Sequence, residues 1–197
     1  MFSTIPPATR AILAANILVF LLEVAGTIRI VSLWALWPIG PHFRLWQLLT
    51  YGFLHAGPAH LFYNMFAVYM FGGQMERVWG ARRLLLYYLM CLVSAAAAQL
   101  VVTGLVGGQY PTVGASGAVF GFLLAFAVYF PRQRVMLLIP PIPMPAWVFV
   151  TLYGVLELFL GVTGTQAGVA HFAHLGGMLG GYPLLRRWRR RAPAFFA

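Results

Sequence analysis

The chain has 197 residues, of which 61% are apolar and 8% are charged, and its mean hydropathy is +0.83. About a quarter of the residues of a soluble domain are charged, so this composition excludes an ordinary water-soluble protein and predicts a membrane protein. All 13 basic side chains are arginine and all three acidic side chains are glutamate. The lack of aspartate excludes mechanisms that need it. A single cysteine excludes an internal disulfide and a thiolate metal cluster.

Six apolar segments are separated by breaks that contain proline, glycine or arginine. A transmembrane helix needs about 20 mostly apolar residues, and each segment approaches that length. We therefore predict an all-α fold, a polytopic membrane bundle of six transmembrane helices that forms a single domain over residues 1–197. The predicted spans are, in chain order, 11–31, 58–76, 83–104, 114–130, 145–161 and 168–185.

The long connection between the first two spans, residues 32–57, differs from the other connections because it is rich in aromatic residues and is broken by Pro38 and Pro41. Amphipathic aromatic segments lie in the membrane interface rather than across it. We expect a structured interfacial loop in the outer leaflet, and an ordinary aromatic belt is an equal alternative. The aromatic residues are Trp34, Trp37, Phe43 and Trp46.

The arginines are distributed unevenly along the chain. If the N-terminus is cytoplasmic, eleven of the thirteen lie on the inner side, and only Arg29 and Arg44 lie outside. The positive-inside rule then predicts a multi-pass protein of the cell inner (plasma) membrane with both termini in the cytoplasm. The net charge of +10 is explained by this topology and by attraction to anionic membrane lipid, so we expect no nucleic-acid partner.

Four polar residues are predicted to lie at similar depths inside the membrane, where polar groups are costly and indicate function. Counting from the arginine that ends each span, at about 1.5 Å per residue, Ser116 lies about 24 Å above the inner boundary and His174 about 18 Å. His60 lies at about 25 Å and Asn64 at about 20 Å on the same count. All four are therefore expected in the outer half of the bilayer.

The fourth span is short, because Pro111 and Pro131 confine it to about 17 residues, or about 25 Å. Its N-terminus should stop below the outer surface. Non-helical backbone at that depth is tolerated only when it is buried in protein or lines water. We therefore expect a small aqueous cavity above Ser116.

Glycine spacing predicts which helices pack together. Gly117 and Gly121 form a small-xxx-small face directly after Ser116, and Gly177 and Gly181 form another on the sixth span. Such faces allow two membrane helices to approach closely. We expect spans four and six to pack against each other.

These residues suggest nucleophilic chemistry at Ser116, which of the four serines is the one at the start of a helix beside glycine. A serine needs a base, and the spacing alone does not choose between His171 and His174. The helix dipole at Ser116 favours developing negative charge. Gly114 and Ala115 would add backbone N–H donors, and His60 and Asn64 could add side-chain donors to the same oxyanion.

These motifs resemble the rhomboid intramembrane serine proteases, over essentially the whole chain. GASG is similar to the family's nucleophile motif and implies Ser116 as nucleophile, while AHLGGMLGG implies His174 rather than His171 as base. HLFYN implies that His60 and Asn64 form the oxyanion pair. The resemblance also implies a Ser–His dyad without a third carboxylate, no metal and no cofactor, and transmembrane proteins as substrates, cut in or near their membrane segments.

Two positions depart from the pattern of the family, and one acidic residue fits it. The external loop has Phe43-Arg44 where the family often has Trp-Arg, and Phe120 stands where a tyrosine often lies beneath the histidine. Phe120 keeps a ring that can stack, so we expect activity to survive. FGGQMERVWG looks like the family's turn after span two, in which Glu76 is expected to be structural.

Two other functions remain open from the sequence. Histidines in the outer half of the bilayer, His55, His60, His171 and His174, are compatible with a small histidine-lined transporter. The chain lacks an HExxH motif, however, and we expect no carboxylate beside the histidines. The second alternative is an inactive rhomboid-like protein that binds transmembrane helices. Glu157 is predicted to have a polar partner or to face the membrane interface, and the alternative is that it influences how span five opens to admit substrate.

Overall fold

The computed structural model describes residues 5–26, 30–136, 141–164 and 169–189 and is mostly helical. A 3₁₀ turn over Tyr51–Phe53 follows α3, and a π-helical segment over Val68–Gly72 joins α4 to α5 without a break. The helices are α1 (Pro7–Val24), α2 (Ile30–Trp34), α3 (Gln47–Thr50), α4 (Pro58–Ala67), α5 (Gly73–Trp79), α6 (Ala81–Val106), α7 (Ser116–Tyr129), α8 (Ala146–Thr163) and α9 (His171–Arg189).

Each of the six predicted spans overlaps a helix or the continuous run from α4 to α5. Within the described ranges, α1, α6 and α8 are long and apolar enough to cross a membrane, and α7 is a shorter apolar helix. Helix α7, which corresponds to the fourth predicted span, is short, as the positions of Pro111 and Pro131 on either side of it predict. The count of six membrane crossings remains a prediction. Three predicted features lie outside the described residues. They are Arg29 in 27–29, the connection into the sixth span at 165–168, and the last two C-terminal arginines at 190–191.

The fold is mostly helical, as predicted, and it includes one short β-hairpin that was not predicted. Between α7 and α8 the chain forms two short antiparallel strands, β1 (Arg134–Met136) and β2 (Pro143–Pro145), paired through Val135 and Met144. Proline cannot continue a helix and also holds the preceding residue in an extended conformation. The proline-rich stretch before α8 therefore forms a strand.

The first helix is shifted relative to the predicted span 11–31. It begins at Pro7, a residue type suited to the first helical position because its missing N–H would have no partner there. It ends at Val24, where Ala25 and Gly26 turn the chain. Gly26 has φ +65°, the left-handed conformation that commonly follows the last turn of a helix. The predicted end at residue 31 was therefore too late.

Glu76 of α5 caps the N-terminus of α1. One carboxylate oxygen accepts the backbone N–H of Ala8 at 2.8 Å, and the other accepts the backbone N–H and the hydroxyl of Thr9, both at 2.6 Å. The carboxylate neutralises N–H groups that a helix leaves unsatisfied at its first turn. Glu76 is buried, and the prediction of a structural role for it is confirmed.

The connection 32–57 is a folded element organised around Gln47, whose side chain is fully buried. Its amide oxygen accepts the backbone N–H groups of Trp37 and Arg44, and its amide nitrogen donates to two carbonyls of the same connection. Leu36 exchanges two backbone hydrogen bonds with Thr112, at 3.0 and 2.9 Å. This pairing holds the connection 32–57 against the segment that leads into α7.

Helix α9 lies at the centre of the bundle and packs against α6, α7 and α8. Its first turn lies beside the first turn of α7, because the backbones of the two helices touch at Gly177 and Gly117. The starts of both helices therefore meet at one point of the fold. This is the point at which the sequence predicts the chemistry.

Candidate active site

Ser116 and His174 are brought into direct contact. Ser116 is the first residue of α7, and His174 lies in the first turn of α9. The Nε2 atom of His174 lies 2.8 Å from Ser116 Oγ, which is the distance of a good hydrogen bond. The two residues are 58 positions apart in the sequence, so the contact depends entirely on how α7 and α9 pack.

Close packing of three helices produces this contact. A Cβ atom on Gly177 would overlap the carbonyl group of Gly117, so a side chain there would push α9 away from α7. A Cβ on Gly121 would overlap Cys91 of α6 and would lie 3.5 Å from the carbonyl oxygen of Gly177. Helices α7 and α9 pack against each other, so the prediction that spans four and six pack together is confirmed. Gly181, however, faces Tyr87 and Cys91 of α6 rather than α7.

A second glycine face on α9 was missed. Gly176 and Gly180 pack against Ala98 and Ser94 of α6, so closely that a Cβ on either glycine would overlap these side chains. The four-residue spacing of this pair was visible in the sequence AHLGGMLGG. Helix α9 therefore uses one pair of faces to approach α6 and α7 at the same time, which fixes its rotation and the direction of His174.

The aromatic ring beneath the histidine is present in the predicted place. The rings of Phe120 and His174 are parallel within 5° and their centroids are 4.4 Å apart. Tyr153 of α8 lies against the other side of Phe120, at a centroid distance of 6.1 Å. The expectation that Phe120 supplies a stacking ring without a hydroxyl group is confirmed.

A carboxylate lies beside the histidines, contrary to the prediction. The Oε2 atom of Glu157 lies 2.8 Å from Nδ1 of His174 and 2.7 Å from Nδ1 of His171. The expectation failed because Glu157 is on a different helix, α8, and the rotation of α8 about its axis cannot be read from residue spacing. The available signal was the predicted depth of Glu157, near the outer end of its span.

In the described part of the chain, these three side chains are also the one cluster whose donor atoms are of the types that bind a metal ion. One ligand atom from each of Glu157, His171 and His174 lies within 4.8 Å of the others. The nitrogen atoms already contact the carboxylate at hydrogen-bond distance. A hydrogen-bonded arrangement therefore satisfies the two Nδ1 atoms and Oε2 without an ion, whereas Nε2 of His171 has no hydrogen-bond partner among the described residues.

A cavity of about 440 Å³ lies above Ser116, where the sequence predicts one. Ser116, His174 and His60 reach it from three helices, so it joins the predicted nucleophile and base to one of the predicted oxyanion donors. The rest of its wall comes from Ala56 and from the connections before α7 and α9, namely Tyr110, Pro111, Thr112, Val113, Val169 and Ala170.

His60 and Asn64 occupy successive turns of α4, but only His60 lines this cavity. Nδ1 of His60 accepts the backbone N–H of Ala56 at 3.3 Å, which leaves Nε2 directed elsewhere. Asn64 is buried, and its Nδ2 group has no hydrogen-bond partner among the residues that the structure describes. A buried amide donor without a partner is unusual and is compatible with a ligand that arrives during function.

Gly114 does not provide the backbone donor that we expected. Its N–H group donates to the carbonyl of Tyr51 at 2.9 Å and is therefore already engaged. Gly114 has φ +126°, and a Cβ on it would lie 2.7 Å from Cε1 of His60, so only glycine suits this position. Ala115, the residue before the first turn of α7, is fully buried and remains a candidate donor.

His55, in the connection before α4, packs against His60 with ring centroids 5.1 Å apart. Its side chain is almost completely buried. Burial, together with the neighbouring His60, lowers the pKa of His55 to about 4. His55 is therefore neutral near pH 7 and contributes no positive charge beside the cavity.

Comparison with known proteins identifies similar chains. The family model described as the rhomboid domain matches residues 42–189. The chain is 32% identical to the rhomboid protease GluP of Bacillus subtilis over 137 residues, which cover 70% of this chain and 25% of that protein. It is 31% identical to the rhomboid protease GlpG of Photorhabdus laumondii over 119 residues, or 59% of this chain and 40% of that protein.

A plant protein gives a match of similar extent. RHOMBOID-like protein 4 of Arabidopsis thaliana is 32% identical over 147 residues, which cover 71% of this chain and 33% of that protein. The chain thus spans between a quarter and two fifths of the length of these curated relatives.

Proposed function

Because the chain belongs to the rhomboid family, we propose that it is an intramembrane serine endopeptidase that hydrolyses peptide bonds in or near the transmembrane segments of other membrane proteins. The observation that carries the proposal is the 2.8 Å distance between Ser116 Oγ and His174 Nε2. A serine hydroxyl becomes a useful nucleophile when a base in hydrogen-bond contact can take its proton.

Ser116 is the nucleophile and His174 is the general base. Ser116 Oγ forms a bond to the carbonyl carbon of the substrate while its proton moves to His174 Nε2 and the carbonyl π electrons move to oxygen. His174 then gives the proton to the leaving amine, and an acyl-enzyme remains. Water repeats the sequence and releases the acid. The stacked Phe120 ring keeps the imidazole in the plane of this transfer.

The oxyanion is stabilised at the start of α7. The first N–H groups of a helix have no intrahelical acceptor, and the helix dipole is positive at that end. We assign Ala115 and the first-turn amides as backbone donors and His60 and Asn64 as side-chain donors. The Nδ2 group of Asn64, which has no hydrogen-bond partner in the described part of the chain, supports this role. Gly114 instead provides the close backbone approach to His60.

The cavity supplies both water and space for an extended substrate. A peptide bond inside a helix is shielded by its neighbours, so the substrate segment must unwind near small or helix-breaking residues before Ser116 can reach it. Substrate enters laterally from the membrane. The polar groups that face the cavity, Ser116, His60 and His174, support a hydrated site at this depth.

We further propose that the chain forms a single six-span domain over residues 1–197 in the cell inner (plasma) membrane, with both termini in the cytoplasm. The distribution of arginine supports this orientation, and the C-terminal arginines favour contact with anionic lipid. The reaction as written uses only side chains, backbone amides and water, so the proposal includes no metal, cofactor or nucleic acid.

The test is cleavage of a purified single-span substrate in liposomes by the wild-type protein and three variants. Ser116→Ala and His174→Ala should abolish cleavage. Ser94→Ala, which removes another serine hydroxyl of the same bundle, should cleave at the wild-type rate. The wild-type rate should be unchanged by a chelator.

Each contrary outcome identifies another function. Cleavage that persists in Ser116→Ala would refute the proposed nucleophile. Chelator-sensitive cleavage would indicate metal chemistry at the histidines. Binding of the substrate helix without cleavage by any form would favour the inactive helix-binding alternative, and histidine-dependent transport without cleavage would favour the transporter.

A further inference from the structure

The carboxylate of Glu157 is shared by two histidines. A single oxygen atom, Oε2, contacts Nδ1 of His171 at 2.7 Å and Nδ1 of His174 at 2.8 Å. The side chains are 9% exposed for Glu157, 5% for His171 and 10% for His174. A buried charge of this kind is costly unless it is paired and hydrogen-bonded. The arrangement therefore needs an explanation, and a two-residue dyad does not supply one.

The hydrogen bonds define which nitrogen of His174 carries the proton. An ionised carboxylate can only accept hydrogen bonds, so Nδ1 of each histidine must donate to it. In a neutral imidazole the other nitrogen is then an acceptor. Nε2 of His174 consequently faces Ser116 Oγ without a proton, which is the form that a general base requires.

The ring of His174 is held from three directions. Glu157 of α8 binds Nδ1, Ser116 of α7 binds Nε2, and the face of Phe120 of α7 stacks on the ring. His171 comes from the same helix as His174 and lies edge-on to it, with ring centroids 6.3 Å apart. Among the described residues, His60 of α4 and Tyr110 are further titratable groups that line the same cavity.

We propose that Glu157 is a positioning residue for His174, and that His171 fixes the carboxylate by donating to the same oxygen. This inference rests on the proposed protease function and adds a third and a fourth residue to its Ser–His pair. When the proton of Ser116 moves to Nε2, the imidazole becomes a cation with N–H groups on both sides. Glu157 stabilises that cation and keeps its own charge, so no second proton transfer is needed.

The main test is the variant Glu157→Gln, which keeps the size of the side chain and removes its charge. If the amide oxygen replaces Oε2, the tautomer is kept but the cation loses its counter-charge. If the amide nitrogen takes that place, the tautomer of His174 is reversed. In either case kcat should fall by between about 10² and 10⁴ while KM is unchanged, because the interaction strengthens only in the transition state.

The pH profile separates positioning from a purely structural role. Since the imidazolium no longer faces a carboxylate, the acidic limb of the rate profile should move to lower pH in Glu157→Gln. Glu157→Asp keeps the charge and should retain the wild-type position of that limb with part of the lost rate. His171→Phe removes one donor to the carboxylate and should lower kcat by about tenfold.

The matched control is Glu23→Gln. Glu23 is the acidic residue of α1, and its Oε2 atom accepts the backbone N–H of His55 at 3.3 Å, outside the Ser116–His174 contact. This variant should keep the wild-type kcat and pH profile. Thermal unfolding of every variant in detergent shows whether it is folded at the assay temperature.

The outcomes distinguish this inference from the proposed function. If the wild type cleaves, Ser116→Ala is inactive and folded Glu157→Gln has the wild-type kcat and pH profile, the positioning role is refuted and the protease function stands. If Glu157→Gln and His171→Phe lose rate only in proportion to lost stability, the carboxylate is structural and the inference fails. If the wild type itself does not cleave, the proposed function fails first. Rates that fall with a chelator would assign these three groups to a metal and would also overturn the inference.

Discussion

The contact between Ser116 and His174 should depend on the absence of a side chain at Gly177. A Cβ built on Gly177 lies 2.6 Å from the carbonyl carbon of Gly117 and 3.1 Å from its Cα, whereas ordinary contacts begin at 3.4 Å. The carbonyl oxygen of Gly117 is nearer still, so α7 and α9 must separate by more than about 0.8 Å in Gly177→Ala to restore an ordinary contact. Ser116 directly precedes Gly117, and His174 lies one turn before Gly177.

A displacement of that size would lengthen the Ser116–His174 distance from 2.8 Å to about 3.6 Å or more, beyond hydrogen-bond range. A misplacement of that size can cost about 10² in rate. Overpacking of the interface should also lower the free energy of unfolding by about 1 to 3 kcal/mol. The assay is the rate of labelling of the serine by a fluorophosphonate, measured in detergent at a temperature where thermal unfolding shows the variant to be folded.

Gly104→Ala is the matched control for Gly177→Ala. Gly104 lies in α6, and a Cβ there would meet no atom within 4 Å. Alanine is the better helix former, so this variant should be labelled at the wild-type rate and be as stable as the wild type or slightly more stable. Folded Gly177→Ala that is labelled as fast as Gly104→Ala would refute the idea that backbone contact sets the position of the base.

Three further predictions concern other parts of the molecule. Glu76→Gln should lower the free energy of unfolding by about 1 to 3 kcal/mol, because it leaves backbone donors of α1 unsatisfied. The folded variant should keep the wild-type labelling rate. An unchanged melting temperature in detergent would contradict this prediction. His55 has a pKa of about 4 in the folded protein and 6.5 ordinarily, so the unfolded chain binds more protons between these two pH values and the folded state loses stability as the pH falls from 6.5 to 4. His55→Phe should flatten this part of the profile of stability against pH. An unchanged pH dependence in the variant would exclude His55 as its cause. Asn64→Ala should lower kcat by about 10² with little loss of stability, if one oxyanion donor is lost; parallel losses of melting temperature and rate would show that Asn64 is a packing residue.

The sequence predicted the meeting of α7 and α9 because two independent signals agreed. The depths of Ser116 and His174, counted from the arginines that end their spans, were compatible, and glycines followed both residues at four-residue spacing. The depth of a residue in the membrane depends on its position along one helix, and the close approach of two helices depends on the spacing of small residues. Both can therefore be predicted from the order of residues in the sequence. The stacking of Phe120 was predicted from the resemblance to the family, in which a tyrosine often lies at this position beneath the histidine.

The parts of the site that were missed depend on the rotation of a third element. Glu157 reaches the histidines because of the way α8 turns about its axis, and no pattern in the sequence of α8 specifies that angle. Gly114 was expected to offer an N–H donor, but the carbonyl of Tyr51, 63 positions earlier in the printed sequence, already binds it. Long-range hydrogen bonds between irregular segments have no periodic signature.

The boundaries of the elements followed local chemistry more closely than hydropathy. The apolar pattern placed the first span at 11–31, whereas Pro7 and Gly26 set the ends of the helix at Pro7–Val24. Glu76 reinforces that start through a contact made across 67 and 68 residues, which hydropathy cannot register. Apolar periodicity therefore located the helices, and prolines, glycines and caps located their ends.

The central claim, that Ser116 is a nucleophile activated by His174, is tested most directly by mapping the site of a fluorophosphonate adduct. The purified wild-type protein, in detergent, is treated with the label, digested and analysed by mass spectrometry. We predict one adduct, on Ser116, that is absent in Ser116→Ala and forms far more slowly in His174→Ala. An adduct on a different residue, or equal labelling of Ser116 in the wild type and in His174→Ala, would contradict the account.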